Sequence, residues 1–240
     1  SAGEVVGVKQ TELGVANAPV LDGDPPLLGQ KRMLKNLHAV QLENMIPLSK
    51  TLVEYPVKKD EKKRDAYAFP NFSIEMETGT GKTYVYLRTI FELHQKYGLK
   101  KFIIVVPSVA VREGVISSIK QMRDHFKSLY NNAPFESFVY DSKNVHALKD
   151  FARNSNIQIM IINIQAFQKD AGEGEDYASL TEAQIKKLNV IHRDDDQSNG
   201  YRWIEYVQQT NPILIIDEPQ SVDNTPKARR AINTLHPQLC

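Results

Sequence analysis

Two short runs hold residues whose types and spacing suit phosphate chemistry. The first is Met76-Glu77-Thr78-Gly79-Thr80-Gly81-Lys82-Thr83. It stands between an apolar, β-prone run, Phe72 to Met76, and an amphipathic run from Lys82 to Tyr97 that Gly98 closes, so it reads as a strand turning sharply into a helix. Such a turn leaves several backbone N–H groups unpaired and aimed at one spot, where the helix dipole adds positive potential. Gly79 and Gly81 let the backbone curl around a β-phosphate, Lys82 reaches the β and γ oxygens, and the Thr83 hydroxyl suits Mg²⁺. Thr78 through Thr83 are therefore the candidate nucleotide-binding residues. The strict pattern has Gly where Met76 stands, and the competing reading is an ordinary glycine turn that opens a helix.

The second run is Ile213-Leu214-Ile215-Ile216-Asp217-Glu218-Pro219-Gln220. Four apolar residues make a buried strand with two adjacent carboxylates at its C-terminal end, where α/β sheets place ligands. Asp217 is the candidate for holding Mg²⁺ through its water shell. Glu218 is the candidate for orienting and deprotonating the water that attacks a γ-phosphate. Alone, such a pair is as well explained as the cap of a strand end. Beside a Lys82 loop it gains a purpose, because two jobs at a metal-bound triphosphate need two acids.

The elements that must position these groups follow from apolar periodicity. Phe72 to Met76, Lys101 to Val106, Phe135 to Tyr140, Ile157 to Ile164 and Ile213 to Ile216 read as strands. Between them lie a helix from Lys82 to Tyr97 and another from Ser108 to about Leu129, with Val111, Val115, Ile119, Met122 and Phe126 on one face. Apolar runs separated by helices imply parallel strands covered on both faces, an α/β layer architecture. Thr181 with Gln184 forms a capping box, and Thr225 before Pro226 opens a further helix. Acidic and polar runs between Gly172 and Gly200, including Glu173, Glu175, Asp176 and Asp194 to Asp196, read as an insertion on the sheet.

Upstream, residues 1 to about 35 are rich in Gly and Pro and read as irregular or hairpin-like. Leu34, Leu37, Val40, Leu42, Met45 and Ile46 have near-helical spacing within Arg32 to Leu52, with Pro47 favouring a break. Lys58 to Asp65 carries charges of both signs with nothing to bury; it reads as a solvated loop, with DNA contact the alternative. The expected division is a lead-in over residues 1–70, packed on an α/β domain over 71–240 that carries the insertion near 170–200.

Composition excludes several classes. The 240 residues are 41% hydrophobic and 25% charged, which rules out collagen-like and disordered chains. Lys and Arg number 30 against 29 for Asp and Glu, a net charge of +1, so any polyanion site is local. No apolar stretch approaches the roughly 20 residues that span a bilayer. The one cysteine, Cys240, forms no disulfide framework and no thiolate metal cluster, which suits a reducing, cytoplasmic compartment.

With both motifs in hand, the sequence resembles superfamily 2 helicases and translocases, and within them the motor (Res) subunits of type III restriction enzymes. The resemblance rests on Met76 to Thr83, on Val105-Val106-Pro107-Ser108-Val109-Ala110-Val111-Arg112-Glu113-Gly114-Val115, on Ile161-Ile162-Asn163-Ile164-Gln165-Ala166-Phe167, and on Asp217-Glu218-Pro219-Gln220-Ser221. The Asp-Glu-Pro-Gln form of the acidic motif is its specific part. The resemblance implies a RecA-like P-loop NTPase fold, ATP and Mg²⁺ as cofactors, and Gln220 among the nucleotide-binding residues. It further implies double-stranded DNA and a modification (Mod) methyltransferase subunit as partners, in a bacterial cytoplasm, with hydrolysis driving movement or switching on DNA toward cleavage. By the same resemblance Ser108, Arg112, Asn163 and Gln165 are candidate DNA-backbone contacts, which would carry no sequence information. Against that, Val109, Val111 and Val115 suit a core, and Asn163 suits buried backbone groups.

The pattern has departures. The family usually has an adenine-recognising Gln after an aromatic, whereas Gln41 follows Val40. The chain stops at Cys240, before the usual Ser-Ala-Thr motif, the second motor domain with its arginine finger, and the nuclease domain. The expectation is a first RecA-like domain that binds ATP and, alone, turns it over weakly. Two alternatives stand beside it: the motor of another superfamily 2 helicase, and a nucleotide-gated docking module. Arg229 and Arg230 suit either phosphate contact or a solvated helix face.

Overall fold

Four of the five apolar runs become strands of one parallel sheet. The computed structural model describes residues 7–21, 28–55, 68–167, 180–222 and 225–240. In chain order its elements are β1 (Val8–Gln10), β2 (Val15–Asn17), α1 (Gln30–Glu43), α2 (Lys82–Tyr97), β3 (Lys101–Val106), α3 (Val109–Leu129), β4 (Phe135–Val139), α4 (Ala147–Arg153), β5 (Ile157–Asn163), α5 (Glu182–Ile185), α6 (Trp203–Gln208), β6 (Ile213–Ile216), α7 (Pro219–Val222) and α8 (Pro226–Asn233). The main sheet has the order β4-β5-β3-β6, and each neighbouring pair is parallel.

The two-residue period of the strands sorts their side chains into two cores. Phe102, Ile104 and Val106 of β3, with Ile157, Ile159 and Ile161 of β5, face Leu87, Ile90 and Phe91 of α2 and Val115, Ile119 and Phe126 of α3. Ile103, Val105, Met160, Ile162 and Leu214 face the other way, onto Leu148 and Phe151 of α4, Trp203 and Ile204 of α6, and Ala228 and Ile232 of α8. Helices thus cover both faces, the α/β layering that the alternating pattern implied and that the RecA-like resemblance shares. Among the described residues no helix is long and apolar enough to cross a membrane.

Helix ends follow local chemistry. Gly98 closes α2 at φ 69°. The Ser108 side chain accepts from the Val111 N–H to start α3, Thr181 and Gln184 form the capping box of α5, and Thr225 caps α8 ahead of Pro226. The lead-in contains a true hairpin, β1 antiparallel to β2, and buried Asn17 fastens it to the main sheet. Its Oδ1 accepts from the N–H groups of Lys100 (2.8 Å) and Lys101 (3.0 Å), and its Nδ2 donates to the carbonyls of Lys101 (2.9 Å) and Asn211 (3.1 Å).

Two expectations fail. Phe72 to Met76 is not a strand. Cys240 N–H donates to Pro70 O (2.9 Å), Phe72 N–H donates to Cys240 O (2.8 Å), and Leu214 N–H donates to Leu239 O (3.0 Å), so the last two residues lie between this segment and β6. No ladder continues from there to Met76 among the described residues, because an apolar alternation becomes a strand only where a neighbour pairs with it. The second failure is the stripe on α1, which ends at Glu43, well before Pro47. Val40, Leu42 and Met45 are exposed at 55%, 65% and 92%, and the helix buries Met33 and Gln41 instead. The segment Lys58 to Asp65 and the acidic residues Glu173, Glu175 and Asp176 lie outside the described residues; 180–200 folds as α5, a 3₁₀ turn at Val190–His192 and a further turn.

Candidate functional site

Register brings the chemistry to one edge. Val106 pairs with Asn163 and Val105 with Ile216, so β3, β5 and β6 end together at their C-termini. Ser108, Asn163 to Gln165, and Asp217 with Glu218 leave the sheet from that edge.

The loop before α2 is held by local bonds. The Thr80 hydroxyl donates to Glu77 O at 2.6 Å, and the Val85 N–H reaches back to Gly81 O at 3.1 Å to close the first helical turn. Gly79 and Gly81 sit at φ 81° and 92°, in the left-handed region. A Cβ on Gly79 would meet nothing within 4 Å, so the dihedral and not crowding demands glycine there. No side chain caps α2, in contrast to α3, α5 and α8, and no acidic residue occupies its first turn. Its first-turn N–H groups therefore keep their donor capacity. Lys82 opens the helix with Thr83 beside it, both half-buried, and Thr78 is exposed in the turn.

Asp217 faces this helix. Its backbone N–H extends the β6–β3 ladder by donating to Val105 O at 3.0 Å. Its half-buried carboxyl accepts from the Tyr86 hydroxyl at 3.4 Å. Burial raises its pKa above the usual carboxylate range, the charge of Glu218 adds to that, and Tyr86 and the Lys82 ammonium oppose it. The Lys82 loop and the acidic motif are thus electrostatic neighbours. Glu218 takes φ 54° directly before Pro219, a backbone region that a non-glycine residue adopts at a cost. Gln220, in the single turn of α7, is exposed.

Mg²⁺ suits this donor set. Among the described residues no group of three or more acidic, His or Cys side chains is placed to hold a metal ion. Mg²⁺ takes one or two protein ligands and completes its shell with waters and phosphates, which a lone Asp217 with the Thr83 hydroxyl provides for.

Three of the remaining candidates are engaged in local bonds. Ser108 Oγ serves as the cap of α3. The Arg112 guanidinium donates twice to Glu113 Oε1, at 3.1 and 2.9 Å. Asn163 Oδ1 accepts from the Gln165 N–H at 3.1 Å, while the Gln165 side chain is exposed. Of the valines weighed as core, Val115 is buried and Val109 is exposed. The Gln41 amide is spent on Ser49, accepting from its N–H and donating to its Oγ at 2.8 Å. One residue escaped the motif reading: Tyr86, three positions after Thr83 and four after Lys82, on the same face of α2. That spacing was the available signal.

Comparison with known proteins places the chain in a family. The family model described as "Type III restriction enzyme, res subunit" matches residues 29–239. The chain belongs to that family. It is 37% identical over 175 residues to the StyLTI Res subunit of Salmonella typhimurium (strain LT2), covering 70% of this chain and 17% of that protein. It is 31% identical over 157 residues to the EcoP15I Res subunit of Escherichia coli, covering 61% of this chain and 15% of that protein. With the EcoPI Res subunit of Escherichia phage P1 it shares 35% over 106 residues, 38% of this chain and 11% of that one. The chain thus spans less than a fifth of the length of these relatives.

Proposed function

We propose that this chain is an ATP- and Mg²⁺-binding motor domain of a type III restriction endonuclease, its hydrolysis coupled to translocation or switching on double-stranded DNA in concert with a Mod subunit. The carrying observation is the meeting of the Lys82 loop with Asp217 at the C-terminal edge of the sheet, joined by Tyr86. In this reading residues 71–240 form the motor and residues 1–70 its lead-in.

The uncapped N–H groups of α2 and the Lys82 ammonium bind the β- and γ-phosphates, and Gly79 and Gly81 leave the approach clear. Thr80 shapes the loop through its bond to Glu77. Thr83 and Asp217 hold the metal, and Gln220 and Thr78 line the nucleotide's approach. Bound Mg²⁺ supplies charge neutralisation on the phosphate oxygens. Glu218 orients the attacking water and takes its proton. For Arg112 to grip DNA, it exchanges Glu113 for a phosphate, an exchange that an exposed pair permits at little cost. Ser108, Asn163 and Gln165 then contribute neutral contacts along the same edge.

Titration with a fluorescent ATP analogue in the presence of Mg²⁺ tests this reading. Loss of one charge-assisted contact is worth about 1.5–3 kcal/mol, so Lys82→Ala is expected to weaken binding roughly 10- to 150-fold. Glu218→Gln keeps the affinity and removes hydrolysis. Equal affinity of wild type and Lys82→Ala contradicts the proposal.

A further inference from the structure

We infer that Tyr86 is a positioning residue for Asp217, fixing the carboxylate that receives the metal. The inference rests on the nucleotide-binding reading above. Tyr86 lies one helical turn beyond Lys82 and Thr83 on α2, and long helical side chains lean toward the helix N-terminus, here toward the crevice. Its hydroxyl donates to Asp217 Oδ2 at 3.4 Å, and the Thr83 side chain also interacts with that phenol. On the other side the backbone N–H of Glu218 bonds to the Asp217 carboxyl. The carboxylate is therefore gripped from two directions.

One of those grips belongs to the helix that carries Lys82 and Thr83, so the phenol ties β6 to the phosphate loop. The consequence is geometric. With Oδ2 engaged by Tyr86, Oδ1 is left for the metal and its waters, and the Asp217 side chain cannot rotate away without breaking a bond in a half-buried crevice. Partners that orient metal ligands in this way typically carry 10- to 100-fold in metal affinity. A bond as long as 3.4 Å in the ligand-free protein has room to shorten when the site closes.

The test is Tyr86→Phe in the 240-residue chain, which keeps the ring and removes only the hydroxyl. MgCl₂ is titrated against the protein with a fluorescent, nonhydrolysable ATP analogue; the analogue's affinity in EDTA and the melting temperature in EDTA are measured separately. The Mg²⁺ midpoint is expected to rise about tenfold, with both EDTA values unchanged. In an Asp217→Asn background, Tyr86→Phe is expected to add no further shift, a coupling that a merely structural tyrosine would not produce. An unchanged Mg²⁺ midpoint overturns the inference, as does an equal loss of affinity in EDTA, which would assign Tyr86 to the phosphate loop instead. If wild type binds the analogue with no dependence on Mg²⁺ or Lys82, the nucleotide reading itself falls, and that outcome is distinct from a failure of Tyr86 alone.

Discussion

Lys101→Met probes an unusual group, a lysine fully buried at the start of a strand. Lys101 begins β3 with no exposed surface, and its ammonium donates to the carbonyls of Phe151 (2.5 Å), Ala152 (3.2 Å) and Asn154 (2.6 Å). These are the last carbonyls of α4 and the residue after it, so a cation here completes the helix end and favours its dipole. Methionine fills the volume and donates nothing. Each orphaned buried carbonyl costs about 1–3 kcal/mol; water reaches the half-buried Asn154, and the variant no longer buries a charge, so the net loss is about 2–4 kcal/mol. Urea unfolding near pH 6, where the group is charged, is expected to show a lower midpoint with an unchanged slope. The pH dependence gives a second readout. Burial, and secondarily the charge of Lys100, lowers the Lys101 pKa from 10.5 to about 7. Between those values the unfolded chain holds a proton that the folded chain lacks, so this group's contribution to stability rises with pH, by at most about 1.4 kcal/mol per unit. Below pH 7 both states are protonated and the contribution is flat at its lowest value. The gap between wild type and Lys101→Met therefore widens from pH 7 to 10. A Met variant as stable as wild type refutes the carbonyl network, and a gap that narrows with rising pH refutes the ordering of burial over hydrogen bonding.

Two further perturbations follow from buried or strained groups. Asn17→Ala leaves the N–H groups of Lys100 and Lys101 and the Lys101 carbonyl without their partner; the expected loss is about 3 kcal/mol by urea unfolding, and a loss under 1 kcal/mol contradicts the anchoring role. Glu218→Asn places a residue tolerant of the left-handed region at φ 54° and removes the like charge beside Asp217. Stability is expected to rise by roughly 0.5–1 kcal/mol, read as a higher melting temperature, while phosphate release falls; an unchanged or lower melting temperature removes strain as an account of that backbone.

Apolar pattern and local chemistry carried much of this fold into view, and partnership accounts for what they missed. Strands β3, β5 and β6 were legible because strands buried on both faces read as unbroken apolar runs. Caps at Thr181 and Thr225 were legible because each is satisfied within four residues; Ser108, weighed as a DNA contact, caps α3 by the same local bond. Phe72 to Met76 alternates as well as any strand, yet a ladder is a property of two segments, and Cys240 engages only its start. The α1 stripe failed for a related reason. Periodicity names a face without naming what covers it, and the buried position there is Gln41, whose amide is satisfied by Ser49.

The same distinction separates the loop and acidic motifs from Tyr86 and Lys101. Gly79, Gly81, Lys82 and Asp217 announce themselves because the phosphate and metal roles proposed for them restrict the residue type at each position. A phenol that steadies a carboxylate, or an ammonium that closes a helix 50 residues further along the chain, meets no such restriction in one dimension; its role exists only once β3, β6, α2 and α4 are packed. Tyr86 was within reach all the same. A polar ring one turn beyond Lys82, on the face that must look into the crevice, has its hydroxyl aimed at whatever the sheet presents there. Register then decides that this is Asp217, since β6 pairs with β3 one residue before the acidic motif begins.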